Sequence, residues 1–286
     1  MFTKYLKASV ICFSCIVVIG LQGCSSEKTI RLVNTQEFAP DDFNEITLDY
    51  DNDSITILKG DSNKVILKEY MSKDKKAYYA RLSEKNKTLS ISEGRRPKFG
   101  DFTAKIEVII PIDYKNSMSF HTTNAEIISE EDVFISTFKA DTTRGKIKLQ
   151  MLSATNISLS TTNGEVYGKD IISETMDVNL SGGMASMERI STGGTFKASS
   201  DGELSLSFSD VTSDLYVYAK NSDIKLSLPN DLSYKLKAES KNGVVKTNLS
   251  SGLSESDGLV QGSVGDSPDI AIEANARNGN IEITNH

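Results

Sequence analysis

The chain repeats itself, and the repetition limits its fold more than any other feature. Turn-like pairs recur at Asn124-Ala125, Arg144-Gly145, Asn163-Gly164, Gly182-Gly183, Asp201-Gly202, Asn221-Ser222, Asn242-Gly243 and Asn278-Gly279. Their second members lie 20, 19, 19, 19, 20 and 21 residues apart, and then 36. Two residues past the turns stand Ile127, Ile147, Val166, Ala185, Leu204, Ile224, Val245 and Ile281. The next column reads Ile128, Lys148, Tyr167, Ser186, Ser205, Lys225, Lys246 and Glu282. Alternation with period two marks a strand with one buried face. Before the turns, apolar columns run through Met118, Phe138, Ile157 and Met176, and through Phe120, Ala140, Leu159 and Val178. The fifth repeat slips by one, presenting Phe196 and Ala198, which predicts a bulge. A third column is mostly small: Thr122, Thr142, Thr161.

Each repeat is thus strand, tight turn, strand, and a corner carrying one more apolar residue such as Leu152, Ile171 or Ile190. One such unit cannot bury its apolar face, but stacked units can. The expected fold is all-β: a single-stranded β-solenoid (β-helix) with about 19–20 residues per coil and rungs about 4.8 Å apart. Asn and Gly at the turns are expected to supply positive φ. A barrel or sandwich also uses short, evenly spaced strands, but its strands lack this in-register self-similarity.

The repeat domain is placed at 45–286. Its N-terminal part continues the β pattern less regularly, at 46–50, 54–60, 64–71, 87–94 and 104–111. Lys73 to Glu84 is charged and poor in β-branched residues, and reads as a short helix or an exposed loop. Ser250 to Pro268 is rich in Ser and Gly and reads as a loop or irregular coil. Both ends of the stack must be capped, because an open edge invites aggregation.

Residues 1–23 have the form of a lipoprotein signal peptide, and 24–44 of a lead-in from the membrane. Lys4 and Lys7 precede the uncharged run Ala8 to Leu21, which ends in Leu21-Gln22-Gly23-Cys24. That run is shorter than the roughly 20 apolar residues of a membrane span and fits an export signal. Leu21, Gly23 and Cys24 resemble the bacterial lipobox, with Gln22 a departure from the usual smaller residue. The resemblance implies that the Cys24 thiol is lipidated and anchors the chain on the extracytoplasmic face of a bacterial membrane. Ser25 in place of Asp leaves the outer membrane or cell surface open. The cysteines are Cys12, Cys15 and Cys24. After cleavage only the last remains, so stability must come from burial and backbone pairing rather than disulfides.

Chemistry-bearing motifs are sparse. The formal net charge of −7 disfavours nucleic acid. There is no Trp, and the histidines are His121 and His286. The run Asp49-Tyr50-Asp51-Asn52-Asp53 imitates a calcium loop, but Ser54 and Gly60 stand where Gly and Glu are needed. It reads as a turn between strands. His121, beside inward Phe120, reads as a surface residue. Glu126, Glu165 and Glu203 share one outward column and could flank a sugar, as paired acids do in glycosidases. They read more simply as a solvated face of mixed charge. No catalytic residue, metal site or cofactor is assigned.

The lipobox, an opening NDSITI, the repeated TTNGEV, SSDGEL and ESKNGVV segments, and the closing GSVGDSPDIAIEANARNGNIEIT together resemble the DUF4097 family of bacterial β-strand-repeat proteins. The resemblance covers about 45–286. It implies a repeat fold, an envelope location and an adhesin-like label, and it carries no functional residue. The reading that follows is a non-enzymatic envelope protein with a binding, adhesion-like or scaffold role, toward an envelope protein or glycan. The alternatives are a polysaccharide lyase or glycosidase, and an envelope-stress accessory protein. Growth with a fatty-acid analogue should label the wild-type chain and leave Cys24→Ala unlabelled; equal labelling of both would remove the anchor.

Overall fold

The computed structural model describes residues 29–98, 100–249 and 252–286. The signal peptide and Cys24 lie outside the described residues. About two thirds of the chain from 31 onward is strand, joined in one continuous sheet system that winds as a solenoid.

Two parallel ladders run the length of the stack. Strands that precede a turn pair with one another, and strands that follow it do the same. Among the described residues ten coils can be traced. In spatial order their turns join Thr88–Ser92 to Ala104–Pro111, Glu45–Tyr50 to Ser54–Gly60, and Ser117–Thr122 to Glu126–Ser129. Five coils then follow in chain order, up to the one joining Leu215–Ala219 to Ser222–Leu228. Next comes the last segment, Ile270–Ala276 with Ile281–Asn285, and outside it Tyr234–Ser240 with Val245–Thr247. The order in space therefore departs from the order in sequence at both ends.

The inward columns are continuous. Cα partners run Ile106, Ile55, Ile127, Ile147, Val166, Ala185, Leu204, Ile224, Ile281, Val245. All but the edge residue Val245 are buried. They belong to one apolar core that fills the stack. The slip in the fifth repeat is a bulge: the register shifts between Ile172 and Thr175, so that Met176 faces Gly194 and Val178 faces Phe196.

Turn chemistry differs from expectation. Of the turn glycines only Gly183 has a positive φ, 93°. The column is small for another reason. A Cβ on Gly145, Gly164, Gly183 or Gly202 would overlap a carbonyl oxygen of the coil beneath. Glycine here permits close stacking rather than a left-handed backbone. The Thr column completes the turn: Thr142 Oγ1 accepts from Gly145 N–H at 2.8 Å, and Thr161 Oγ1 from Gly164 N–H at 2.7 Å. Positive φ falls instead at the opposite corner, on Met151, Asp170 and Arg189, at 53°, 54° and 51°. There Arg189 donates a bidentate pair to Asp170, at 2.7 and 2.5 Å.

Beyond that corner the middle coils gain a third flank. Val133–Ile135 pairs with Leu152–Ala154, then with 171–173, 190–191 and Phe208–Asp210. Leu152, Ile171 and Ile190, read as corner residues, line its inner side.

Antiparallel strands close the ends. Arg31–Phe38 and Val65–Met71 cover one ladder at the N-terminal end, and Arg81–Lys85 covers the other. The 73–84 segment is a short 3-10 turn at Lys76–Tyr78 that leads into this last strand. The 250–268 segment is more ordered than expected: Leu253–Ser256 and Leu259–Val264 form a hairpin that caps Tyr234–Ser240. Each cap covers a ladder edge of the solenoid that would otherwise stand open. Replacing Val166 by Asp puts an unpaired charge inside the dry column and should cost several kcal/mol. Tyr167→Asp, outward and next door, should change stability little. Equal melting temperatures for the two variants would overturn the register.

Candidate functional site

The outward acids of the solenoid face are engaged one by one. Lys148 lies 2.9 Å from Glu126, Lys146 lies 2.8 Å from Glu165, and Lys225 lies 2.8 Å from Glu203. Tyr167 also donates to Glu165 at 2.8 Å. The Lys146 ammonium and the Tyr167 hydroxyl hold the Glu165 carboxyl below its usual range. A general acid needs the opposite shift. The structure therefore spaces these three carboxylates along a zipper of ion pairs and does not converge two of them on one point.

His121 is exposed, and its Cα partners are Asp49 and Asp141 on the adjacent rungs. Burial raises the Asp141 carboxyl, partly offset by His121. The Asp49–Asp53 run forms the turn between two strands. Asp51 pairs with Lys98 at 2.7 Å and accepts from Thr123 at 3.1 Å, while Asp53 pairs with Arg96. Its acids diverge toward these partners and do not surround a common centre.

That last pair opens a buried cluster missed by sequence reasoning. Arg96 bridges Asp53 and Glu69, and all three are buried. Its Nε donates to Tyr78 O at 2.9 Å, and its guanidinium lies 5.1 Å from the Tyr50 ring centre. Glu69 also accepts from Asn34 at 2.7 Å and from the Ala80 N–H. Burial pushes the Asp53 carboxyl up, against the pull of Arg96. The Tyr50 hydroxyl is buried without a hydrogen-bond partner, and burial pushes its pKa well up. One signal was legible: in Val65, Leu67, Glu69, Met71, a carboxylate occupies the apolar phase of an alternating strand. The cluster pins the long 93–103 loop and an antiparallel cap strand to the first coils, a structural task.

The third flank is different in kind. Its outward row reads Phe134, Ser153, Ile172, Ser191, Asp210 across successive rungs. Phe134 is 52% exposed and Ile172 58%. Beside them the bulge displaces Ser173 and Glu174, and the lack of a side chain on Gly193 lets Ser213 pack directly against it. The result is a groove of about 650 Å³. Its lining is apolar at Phe134, Ala154 and Ile172 and hydroxylic at Ser153, Thr155, Thr175, Ser191, Thr212 and Ser213. Among the described residues Glu174 is the one charged group lining it. Bulges commonly re-aim side chains at functional surfaces, and here bulge and exposed apolar residues coincide.

The model of the Toastrack family DUF4097 matches residues 43–284. The chain belongs to the DUF4097 family. No curated protein matches it. Among solved structures, a candidate adhesin from Parabacteroides distasonis ATCC 8503 is 13% identical, with 88% of this chain and 97% of that one covered and a TM-score of 0.43. A candidate lipid-binding protein from the same organism is 14% identical, with 87% and 96% covered and a TM-score of 0.43. A candidate cell-adhesion protein from Clostridium sporogenes ATCC 15579 is 16% identical, with 90% and 100% covered and a TM-score of 0.32. Likeness at this level carries no argument about role.

Removing the cation of the buried cluster leaves two carboxylates facing each other in a dry site. Arg96→Met should therefore cost ~3–5 kcal/mol in denaturant unfolding. Adding Asp53→Asn and Glu69→Gln should recover part of that loss. A loss under about 1 kcal/mol, the range of an exposed pair, would show that the cluster does not hold the cap.

Proposed function

We propose that this DUF4097 chain is a non-enzymatic binding protein of the cell envelope, held at the membrane through lipidated Cys24. Its third flank takes a neutral envelope glycan. The observation that carries this reading is the row Phe134, Ser153, Ile172, Ser191 over the groove. Two apolar platforms stand on alternate rungs, about 9.6 Å apart at the ordinary rung spacing. Hydroxyls lie between and beside them. A sugar chain has the same alternation of apolar ring faces and hydroxyl edges.

Other ligand classes fit less well. Among the described residues no Lys or Arg lines the groove, so an anionic polymer would find no counter-charge. The inner strands of this flank are paired on both sides, and its two edges, 133–135 and 208–210, are only three residues long, which gives an extended peptide little to join. No helix among the described residues is long and apolar enough to cross a membrane, and the proposed anchor is the lipid on Cys24.

Calorimetric titration of the full chain in mild detergent with N-acetylglucosamine oligomers of increasing length tests the reading. Affinity should rise with length until two platforms are spanned. Phe134→Ala and Ile172→Ala should each weaken binding about tenfold, or ~1.4 kcal/mol, and Lys148→Ala should leave it unchanged. Unchanged affinity in both flank variants, or capture of an envelope protein in place of sugar, would overturn the glycan assignment. New reducing ends would make the chain an enzyme.

A further inference from the structure

The final coil lies where chain order would not place it. After Ser222–Leu228 the chain forms Tyr234–Ser240 and Val245–Thr247, then the capping hairpin, and only then Ile270–Ala276 and Ile281–Asn285. Yet this last segment fills the slot between the two coils made before it. Ile272 pairs with Leu215 on one side and Leu236 on the other. Ile281 pairs likewise with Ile224 and Val245. The turn side chains follow the same order, as Asn242 donates to Asn278 and Asn278 to Asn221, both at 2.7 Å.

The segment reaches its slot by a short and awkward hinge. The capping strand Leu259–Val264 and the strand Ile270–Ala276 flank Tyr234–Ser240 on opposite sides, and Tyr234 is a partner of both Val264 and Ile270. Residues 265–269 must therefore hop over the end of a strand. Gly265 and Ser267 take φ of 76° and 50° to do so. Ser267 is a non-glycine residue in the left-handed region, directly before Pro268, where proline favours an extended backbone. A side chain at Gly265 would overlap Ser233.

We propose that residues 270–286 are an exchangeable arm, and that a second copy of this chain is its partner. Two chains trade arms, each filling the other's slot between 215–228 and 234–247. Every ladder pairing of the arm is recovered in the exchanged pair, and no new surface is needed. The hinge opens to an extended form in which Ser267 leaves its strained conformation. Short hinge loops under strain favour this kind of exchange.

Lys225 and Glu282 are Cα partners across the slot, and both point outward. Adjacent rungs lie within disulfide reach. In the full chain with Cys12, Cys15 and Cys24 replaced by Ser, one sample carries Lys225→Cys and another Glu282→Cys. Unfolded together and refolded at high concentration, they should give an interchain disulfide on non-reducing gels. Its yield should rise with protein concentration and fall several-fold when Ser267→Gly relaxes the hinge in both chains. A chain carrying both cysteines should close within itself at low concentration, which checks that the slot forms. An intrachain bridge in that control with no interchain bridge at any concentration would overturn the exchange, and failure of the control to close would overturn the slot.

Discussion

Close approach of one turn to the next sets the geometry of the whole stack. The turn position of four successive coils, Gly145, Gly164, Gly183 and Gly202, sits against a carbonyl oxygen of the coil beneath, with no room for a Cβ between them. That contact lets the turns keep the same close spacing that backbone hydrogen bonding sets along both ladders. Once the ladders are in register, every inward side chain lands over its counterpart, and a column of Ile, Val and Leu becomes continuous. The Thr hydroxyls beneath the turns satisfy N–H groups that the tight stacking removes from water. Burial supplies the driving force, but the glycine column directs it into stacking rather than into a sandwich.

The periodic middle was legible because position in the repeat decides which way a side chain faces. Val166 and Tyr167 could be told apart from spacing alone, and so could the bulge before Phe196. Neighbour order at the C-terminal end was not legible. Leu236, Ala238 and Asn242-Gly243 in one coil match Ile272, Ala274 and Asn278-Gly279 in the other. Either would fit beside Leu215, so pattern cannot say which does. The φ assignment failed because two constraints, backbone handedness and close packing, both select glycine. The third flank was hidden because its outward row, Phe134, Ser153, Ile172, Ser191, mixes apolar and polar residues with no period a single repeat reveals. Arg96 was hidden because its partners are 43 and 27 residues distant in sequence.

The three flanks divide the surface by chemistry. One carries alternating lysines and glutamates that neutralise each other in pairs. One carries mixed polar and charged side chains, with Tyr216 and Tyr218 standing out toward the C-terminal end. The third has the groove beside the bulge. Ligand recognition needs exposed apolar area together with polar groups, and the groove combines the two. The same regular scaffold gives all three flanks rigidity, since most side chains stand on strands bonded to neighbours on both sides.

Interleaving of the end coils changes how the molecule opens. A serial solenoid loses order one unit at a time from its tips, because each unit touches only the next. Here the tip coil 234–247 is joined to the body through the segment 270–285, which belongs to neither of the coils it separates. Releasing that segment strips both faces of the slot at once, and the tip has no other coil to stand on. The last three coils should thus share one opening free energy, and their slowest amides should exchange with solvent together, as a single cooperative block rather than a graded fray.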